Sequence, residues 1–311
     1  DTSAAEQEFG DTIDFRATGF DFADSASETY IYMAIRRGPM KVPEAATDVF
    51  AVATRVTGNP NWTSNFVVDG GWQNSDIDLF SRLTGKYLLE AGSTSGESEG
   101  GTDFAFDFMT GWRQDGSTSA VAISWMWQRA PEFFDVVCFI GTGASLNVDH
   151  GLTVAPELML VKGRTTSAWN VYHSSLGPTK YVALNTAAAA VTSSIVWDDT
   201  APTASVFTVD WGAAGTGDTM IAYLFATLEG ISKVGGYTAD GTLTTIDCGF
   251  AAGARFILIK QVSGGDWHLY DSVRGIVAGN DPYLEANSEA AQITGTDYID
   301  PDNSGFQITA A

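Results

Sequence analysis

The sequence predicts an all-β fold, built as tandem antiparallel β-sandwich (jelly-roll-like) units with few short helices. Three observations carry this expectation. Short, mainly apolar runs such as Leu158–Val161, Val206–Val209 and Phe256–Ile259 are separated by Gly, Ser, Thr, Asn and Asp, which is the punctuation of short strands. Glycine accounts for 33 of 311 residues, enough to turn the chain many times. The third observation is an internal repeat. Glu157–Lys162, Trp169, Tyr172, Ser174, Gly177, Tyr181 and Asn185 align with Arg255–Lys260, Trp267, Tyr270, Ser272, Gly275, Tyr283 and Asn287. The offset is 98 at the tryptophans (267 − 169) and 102 at the asparagines (287 − 185), so one small insertion separates the copies.

The elements follow in order. Tyr30–Ile35, Val121–Trp127 and Met220–Ala226 are aromatic and β-branched with few charges, which suits central strands covered on both faces. Each precedes turn chemistry at Arg37-Gly38-Pro39, Ala130-Pro131 or Glu229-Gly230, which sets the expected boundaries. The units are then 1–37, the end of a preceding repeat; 38–129, a divergent copy; 130–228; and 229–311, incomplete at its C-terminal end. Because the opening residues read like the closing ones, we expect an ordered or processed segment of a longer protein. Ser75–Leu83 has a capping serine and predicts two helical turns, with single turns at Ala187–Ala190 and Ser288–Ala291. Ser93–Thr102, dense in Gly, Ser and Glu, predicts a mobile loop.

Composition narrows the function. Hydrophobic content of 44% against 17% charged residues belongs to a chain that forms a core. No apolar run approaches the ~20 residues that span a bilayer, so a soluble chain with no membrane insertion is expected. A net charge of −22, with no basic patch denser than Arg36-Arg37, opposes binding to nucleic acid. Cys138 sits in an apolar run and Cys248 has no equivalent cysteine, so two cysteines support no disulfide framework. His150, His173 and His268 fall at unrelated repeat positions and mark no metal site. There is no Gly-x-Ser-x-Gly turn, and Gly141-Thr142-Gly143 lacks the third glycine of a dinucleotide loop. No catalytic residue is singled out and no enzyme is expected.

Two candidate sites remain. The Trp169/Tyr172 and Trp267/Tyr270 pairs are spaced by three on a strand, so their side chains point to opposite faces. One member of each pair is then expected in the core and the other exposed, where a ring can stack on a sugar. The competing reading is that both belong to a shared core. Asp297, Asp300 and Asp302, with Asn303, form an oxygen-rich turn of the kind that sometimes holds calcium. They lack the spacing of a known calcium loop, and a solvated turn is the ordinary alternative. Asp69, Asp76 and Asp78 are read as turn residues on the same grounds. No other cofactor is implied.

Pro156–Lys162, Trp169–His173, Leu176-Gly177, Tyr181–Asn185, Trp197, Phe207 and Ala222–Ala226 together resemble a repeat domain of unknown function. It occurs in bacteriophage tail-fibre-like virion proteins, especially of marine and cyanobacterial phages. Tyr30–Met40 resembles the linker between such units. The resemblance implies a virion structural protein at the phage surface, often encoded beside a concanavalin-like lectin module, and brings no catalytic residues. The expectation is therefore a non-enzymatic, homo-oligomeric fibre protein that meets sister chains and a host-surface glycan. A purely structural spacer or decoration unit, whose aromatics are all buried, is the alternative. A polysaccharide depolymerase is the third reading.

Overall fold

The computed structural model describes residues 40–55, 61–74, 77–101, 104–106, 110–114, 122–210 and 212–309, together with the backbone of 13–16 and 19–22. The expected strand at Tyr30–Ile35 lies outside the described residues. Strands β1 (Ile13–Arg16) and β2 (Gly19–Phe22) form an antiparallel pair.

The next strands are β3 (Phe50–Thr54), β4 (Asn61–Thr63), β5 (Gly70–Gln73), β6 (Asp78–Ser81), β7 (Tyr87–Glu90), β8 (Ser98–Glu99), β9 (Gly111–Arg113) and β10 (Ile123–Trp127). They make a six-stranded antiparallel sheet in the order β3-β10-β5-β6-β7-β8, with β4 and β9 paired separately. Then come β11 (Phe134–Ile140), β12 (Leu146–Asp149), β13 (Leu158–Gly163), β14 (Asn170–His173), β15 (Lys180–Ala183), β16 (Val191–Thr192), β17 (Val206–Val209) and β18 (Thr219–Phe225). The same pattern returns, a six-stranded sheet β11-β18-β13-β14-β15-β16 with β12 and β17 paired apart. The final strands β19 (Thr244–Asp247), β20 (Phe256–Lys260), β21 (Trp267–Asp271), β22 (Leu284–Glu285), β23 (Ile299–Asp302) and β24 (Gly305–Ile308) give two three-stranded sheets, β20-β21-β22 and β19-β24-β23. We call these three bodies the first, second and third units. Among the described residues the one α-helix is α1 (Ser194–Trp197), opened by Ser193, whose side chain accepts from Ile195 N.

Alternation along the strands explains why both faces are apolar. In β10, Trp125 and Trp127 enter one large core while Met126 enters another. In β11, Val136 and Cys138 enter that same large core, and Val137 and Phe139 a different one. In β21, Trp267 and Leu269 again reach the large core while Tyr270 turns away. Each unit thus puts one sheet face into a core shared by all three and the other into a private core under its own smaller sheet or pair. Val121–Trp127 and Met220–Ala226 accordingly supply β10 and β18, each flanked by a strand on both sides. Gly71 makes the tight first sheet feasible, since a Cβ there would lie 2.5 Å from the Phe80 ring and 2.6 Å from the Trp125 carbonyl.

The units do not stand in a line. Phe256 of the third unit meets Phe50, Trp72 and Trp127 of the first, with ring centroids 6.0, 6.0 and 5.5 Å apart. Trp127 also meets Phe225 of the second at 5.8 Å. In a solenoid, first and third repeats would not touch. The three units are therefore gathered on one core.

Local expectations also change. Of the expected helix Ser75–Leu83, the described residues 77–83 are not helical: β6 occupies their middle, with Leu79 facing the shared core and Phe80 the private one. Pairing with both β5 and β7 outweighs the local helical signal. Ala187–Ala190 and Ser288–Ala291 are extended or bent rather than helical. Ser93–Thr102 carries β8 and is an anchor: Glu97 N donates to Arg164 O at 2.8 Å, and Arg164 grips the Glu97 carboxylate at 2.8 and 3.0 Å. Thr102 itself lies outside the described residues.

Candidate functional site

Trp169 and Tyr172 do point to opposite faces, Trp169 to the shared core and Tyr172 to the private one. Trp267 and Tyr270 repeat this division. Neither pair has an exposed member. The four residues are 0%, 4%, 4% and 1% exposed, which corrects the expectation of one free ring in each. Both faces of these sheets are covered, so alternation separates two cores instead of core from solvent.

The hydrogen bonds show what the repeated tryptophans do. Trp169 Nε1 donates to Glu90 O of the first unit at 2.9 Å, and Trp267 Nε1 donates to Ala183 O of the second at 2.8 Å. Register makes these one contact used twice, because Asp78 pairs with Glu90 as Asn170 pairs with Ala183. The backbone N of each tryptophan donates to an asparagine Oδ1, Asn185 at 3.1 Å or Asn287 at 2.7 Å. Lys162 and Lys260 cover the two indoles at 5.7 and 5.8 Å, and each bonds a carbonyl in its own turn, Ser167 O or Gly265 O. The repeated Lys, Trp and Asn are a joint to the preceding unit. Lys162 is fully buried, and desolvation holds its pKa down at about 8 despite the Glu90 charge.

A second junction joins the first unit to the second. The fully buried Asp135 accepts from Arg129 Nε at 2.5 Å, Gly151 N at 2.6 Å and Val136 N at 2.9 Å, while Arg129 N donates to Asp69 Oδ2 at 2.9 Å. Asp69 is thus a buried structural acceptor and not a solvated turn residue. Asp76 lies outside the described residues.

The open concavity with polar walls lies elsewhere, beside β6, β7 and β8. It has a volume of about 430 Å³ and is lined by Asp78, Leu88, Glu90, Ser98, Glu99 and Gln114, among others. Asp78 and Glu90 are direct cross-strand partners, a like-charge arrangement that costs stability unless something offsets it. Gln73 Nε2 donates to Asp78 Oδ2 at 2.9 Å, and Lys86 lies 3.2 Å from Glu99. Carboxylates, amide and hydroxyl here present acceptors and donors suited to sugar hydroxyls, without a stacking ring among the lining residues. Sequence reading passed over this groove because its walls come from strands and a loop that only sheet register brings together.

Asp302 is turned into its own hairpin, accepting from Ser304 N at 2.8 Å and Ser304 Oγ at 2.7 Å, which lowers its pKa. Asp300 Oδ1 accepts from Gly279 N at 3.1 Å. Asp297 Oδ1 is buried without a hydrogen-bond partner. Among the described residues no three His, Cys, Asp or Glu side chains converge as a ready-made metal cluster.

The histidines are structural in their contacts. His150 Nδ1 accepts from Leu152 N and its Nε2 bonds Thr203 O, with burial lowering its pKa. His173 Nδ1 accepts from Ser175 N, and His268 stacks on Tyr298. Cys138 and Cys248 are not joined to each other in a disulfide. No helix of the described residues is long and apolar enough to cross a membrane.

The profile of a family described as a domain of unknown function, DUF7483, matches residues 108–311, about two thirds of the chain. Neither the curated proteins nor the solved structures contain a match to it.

Proposed function

We propose that this chain, which belongs to the DUF7483 family of unknown function, is a non-enzymatic structural unit of a phage surface assembly, a spacer or decoration body of the tail-fibre-like kind. The observation that carries this reading is the use of the repeated aromatic signature. Trp169 and Trp267, the residues best suited to stacking on a sugar, are buried in the shared core with their indole N–H groups joined to the preceding unit. A signature that recurs in order to join units is what a spacer module needs, and the resemblance to virion repeat domains supplies the setting. The partners under this reading are sister chains at the virion surface. Light scattering combined with small-angle X-ray scattering on the purified chain tests it. A defined homo-oligomer that shows no retention on host-glycan arrays is the expected outcome, and a monomer at all concentrations overturns it.

The groove favours a second reading, attachment to a host glycan. Asp78, Glu90 and Gln114 would then take sugar hydroxyls. Saturable glycan retention that is lost in Glu90→Gln, with an unchanged melting temperature, would establish this role. Reducing ends released from host capsule by the wild type would instead point to a depolymerase.

A further inference from the structure

The third unit keeps one side of a strand pairing that the other two units complete. In the first, β10 lies against β5 with Trp127 opposite Gly70; in the second, β18 lies against β13 with Phe225 opposite Leu158. Phe256 stands where Leu158 does, at the repeat offset of 98, and among the described residues the strand partner of β20 is β21. Cover differs accordingly. Met159–Gly163 of β13 are all buried, whereas in β20 Ile257 is buried and the other four residues are half-buried. Alternate residues of an antiparallel strand bond to opposite neighbours. Ser272 N donates to Arg255 O at 3.0 Å, so the odd positions of β20 face β21, and Phe256, Leu258 and Lys260 turn their N–H and C=O groups the other way. The matching positions of β13 face β18, in line with the bond from Arg164 N to Thr219 O at 2.7 Å. Such an edge is a template for one more strand.

The sequence holds a strand of the right kind. Tyr30–Ile35 shares the aromatic and β-branched make-up of β10 and β18, and through to Pro39 it matches the β10 segment without a gap. Ile31, Arg37 and Pro39 fall on Ile123, Arg129 and Pro131, each at an offset of 92 (123 − 31, 129 − 37, 131 − 39), which sets Ile35 on Trp127. Chain order agrees. β10 immediately precedes the second unit and pairs in the sheet of the first, a unit the second packs against. Tyr30–Ile35 immediately precedes the first unit, and the third packs against the first, through Phe256 on Phe50 and the Asn287 backbone beside Gly92. We propose that the outer edge of β20 is the docking site of Tyr30–Ile35 from the same chain, antiparallel, with Ile35 opposite Phe256, Met33 opposite Leu258 and Ile31 opposite Lys260. Cross-strand partners share a face. Met33 and Ile35 then join Leu258 and Phe256 against the shared core, and Tyr32 and Ala34 join Ile259 and Ile257 over the private core of the third unit. The pairing lies within one chain and is independent of the spacer reading, which concerns contacts between chains.

Paired cysteines in the full chain, in a Cys248→Ser background, test the register. Tyr32→Cys with Ile259→Cys sets two Cβ atoms directly opposite, ~5 Å apart. Met33→Cys with Ile259→Cys moves one partner by a single residue and so turns it to the other face. After mild oxidation the first pair should form a disulfide within the monomeric fraction, identified by mass spectrometry of the linked peptides, and the second should stay reduced. Hydrogen exchange on the native sequence gives a separate reading. The amides of Phe256, Leu258 and Lys260 should be protected like those of β13, and Met33→Pro should lower their protection by about tenfold or more while leaving β13 unchanged. Circular dichroism of each variant is read first, and if the cysteine pair does not fold, the wild-type exchange pattern decides. A folded first pair that stays reduced overturns the proposal, as do equal bonding in both pairs and fast exchange of the three amides in the wild type. A bond found only between two chains also overturns it and assigns the edge to a second copy.

Discussion

The second and third units begin from the same signature and finish it differently. In the second, β13, β14 and β15 sit in a complete six-stranded sheet in which β18 lies between β11 and β13. In the third, the matching β20, β21 and β22 stand as a sheet of three among the described residues. The private cores differ accordingly. Tyr172 packs against the helix residue Trp197 at 5.9 Å, whereas Tyr270 packs against Tyr283 at 5.3 Å, with His268 beside it. Among the described residues, the buried polar atoms without partners include Tyr270 Oη, Asp281 Oδ2 and Asp297 Oδ1 in the third unit and none in the second. The shared face has kept one design while the private faces have gone separate ways.

The comparison is broken most forcefully at its common element. Trp169→Ala and Trp267→Ala should each cost about 3–5 kcal/mol in urea unfolding, through lost burial and an orphaned carbonyl in the preceding unit. If Trp267→Ala proves nearly neutral, the joint is not equivalent in the two units.

The two lysines sharpen the contrast. Lys162 has a folded pKa near 8, below its unfolded value of 10.5, so at neutral pH the folded state bears the full cost of burying its charge. That cost is relieved between about pH 8 and 10.5, where the unfolded chain binds more protons, and stability from this group rises with pH. The gain is on the order of 2–3 kcal/mol and should vanish in Lys162→Met. Lys260 is only part-buried and its pKa is lowered for the same reason, so Lys260→Met should change the pH profile less. Measurement is best confined below pH 10, because burial raises the tyrosine pKa values and tyrosine ionisation opposes the gain above that point.

Trp169→Phe and Trp267→Phe keep an aromatic ring in the shared core and remove the bond to Glu90 O or Ala183 O together with the pyrrole part of the indole. A loss of about 1–2 kcal/mol is expected from each by chemical denaturation. The smallest effect is expected at Tyr270→Phe. The hydroxyl has no partner, so its removal should be neutral or stabilise by up to ~1 kcal/mol. A clear destabilisation would show that the hydroxyl has a partner after all.

Strand content and the division of the Trp-x-x-Tyr pairs between faces were legible in the sequence because both follow from period-two alternation. The exposure of one ring in each pair was misread for a related reason. Alternation tells which residues share a face, and only neighbouring layers tell whether that face is wet. The runs that became β10 and β18, apolar on both faces, already signalled two-sided cover, and the same signal applies to Trp169–Tyr172 with its buried Val171. Ser75–Leu83 failed because a capping serine is local information, whereas β6 is held by partners on both sides. The acidic turn was half legible: Asp297 and Asp300 stand close in sequence, but the bond from Gly279 N to Asp300 Oδ1 is a contact that no local pattern announces.

The shared core also bears on how duplicated units can diverge. A residue on the private face answers only to its own lid, so Tyr172 with Trp197 could become Tyr270 with Tyr283 by changes within one copy. A residue on the shared face answers to its neighbours, and a new side chain there has to suit parts of the molecule that were copied separately. The first unit shows the permitted exception. Ile77 stands where the others have tryptophan, and Gly92 where they have asparagine, with the Asn287 backbone so near that a Cβ on Gly92 would lie 3.2 Å from it. Duplication followed by mutual fitting turns interchangeable modules into parts that can no longer be exchanged.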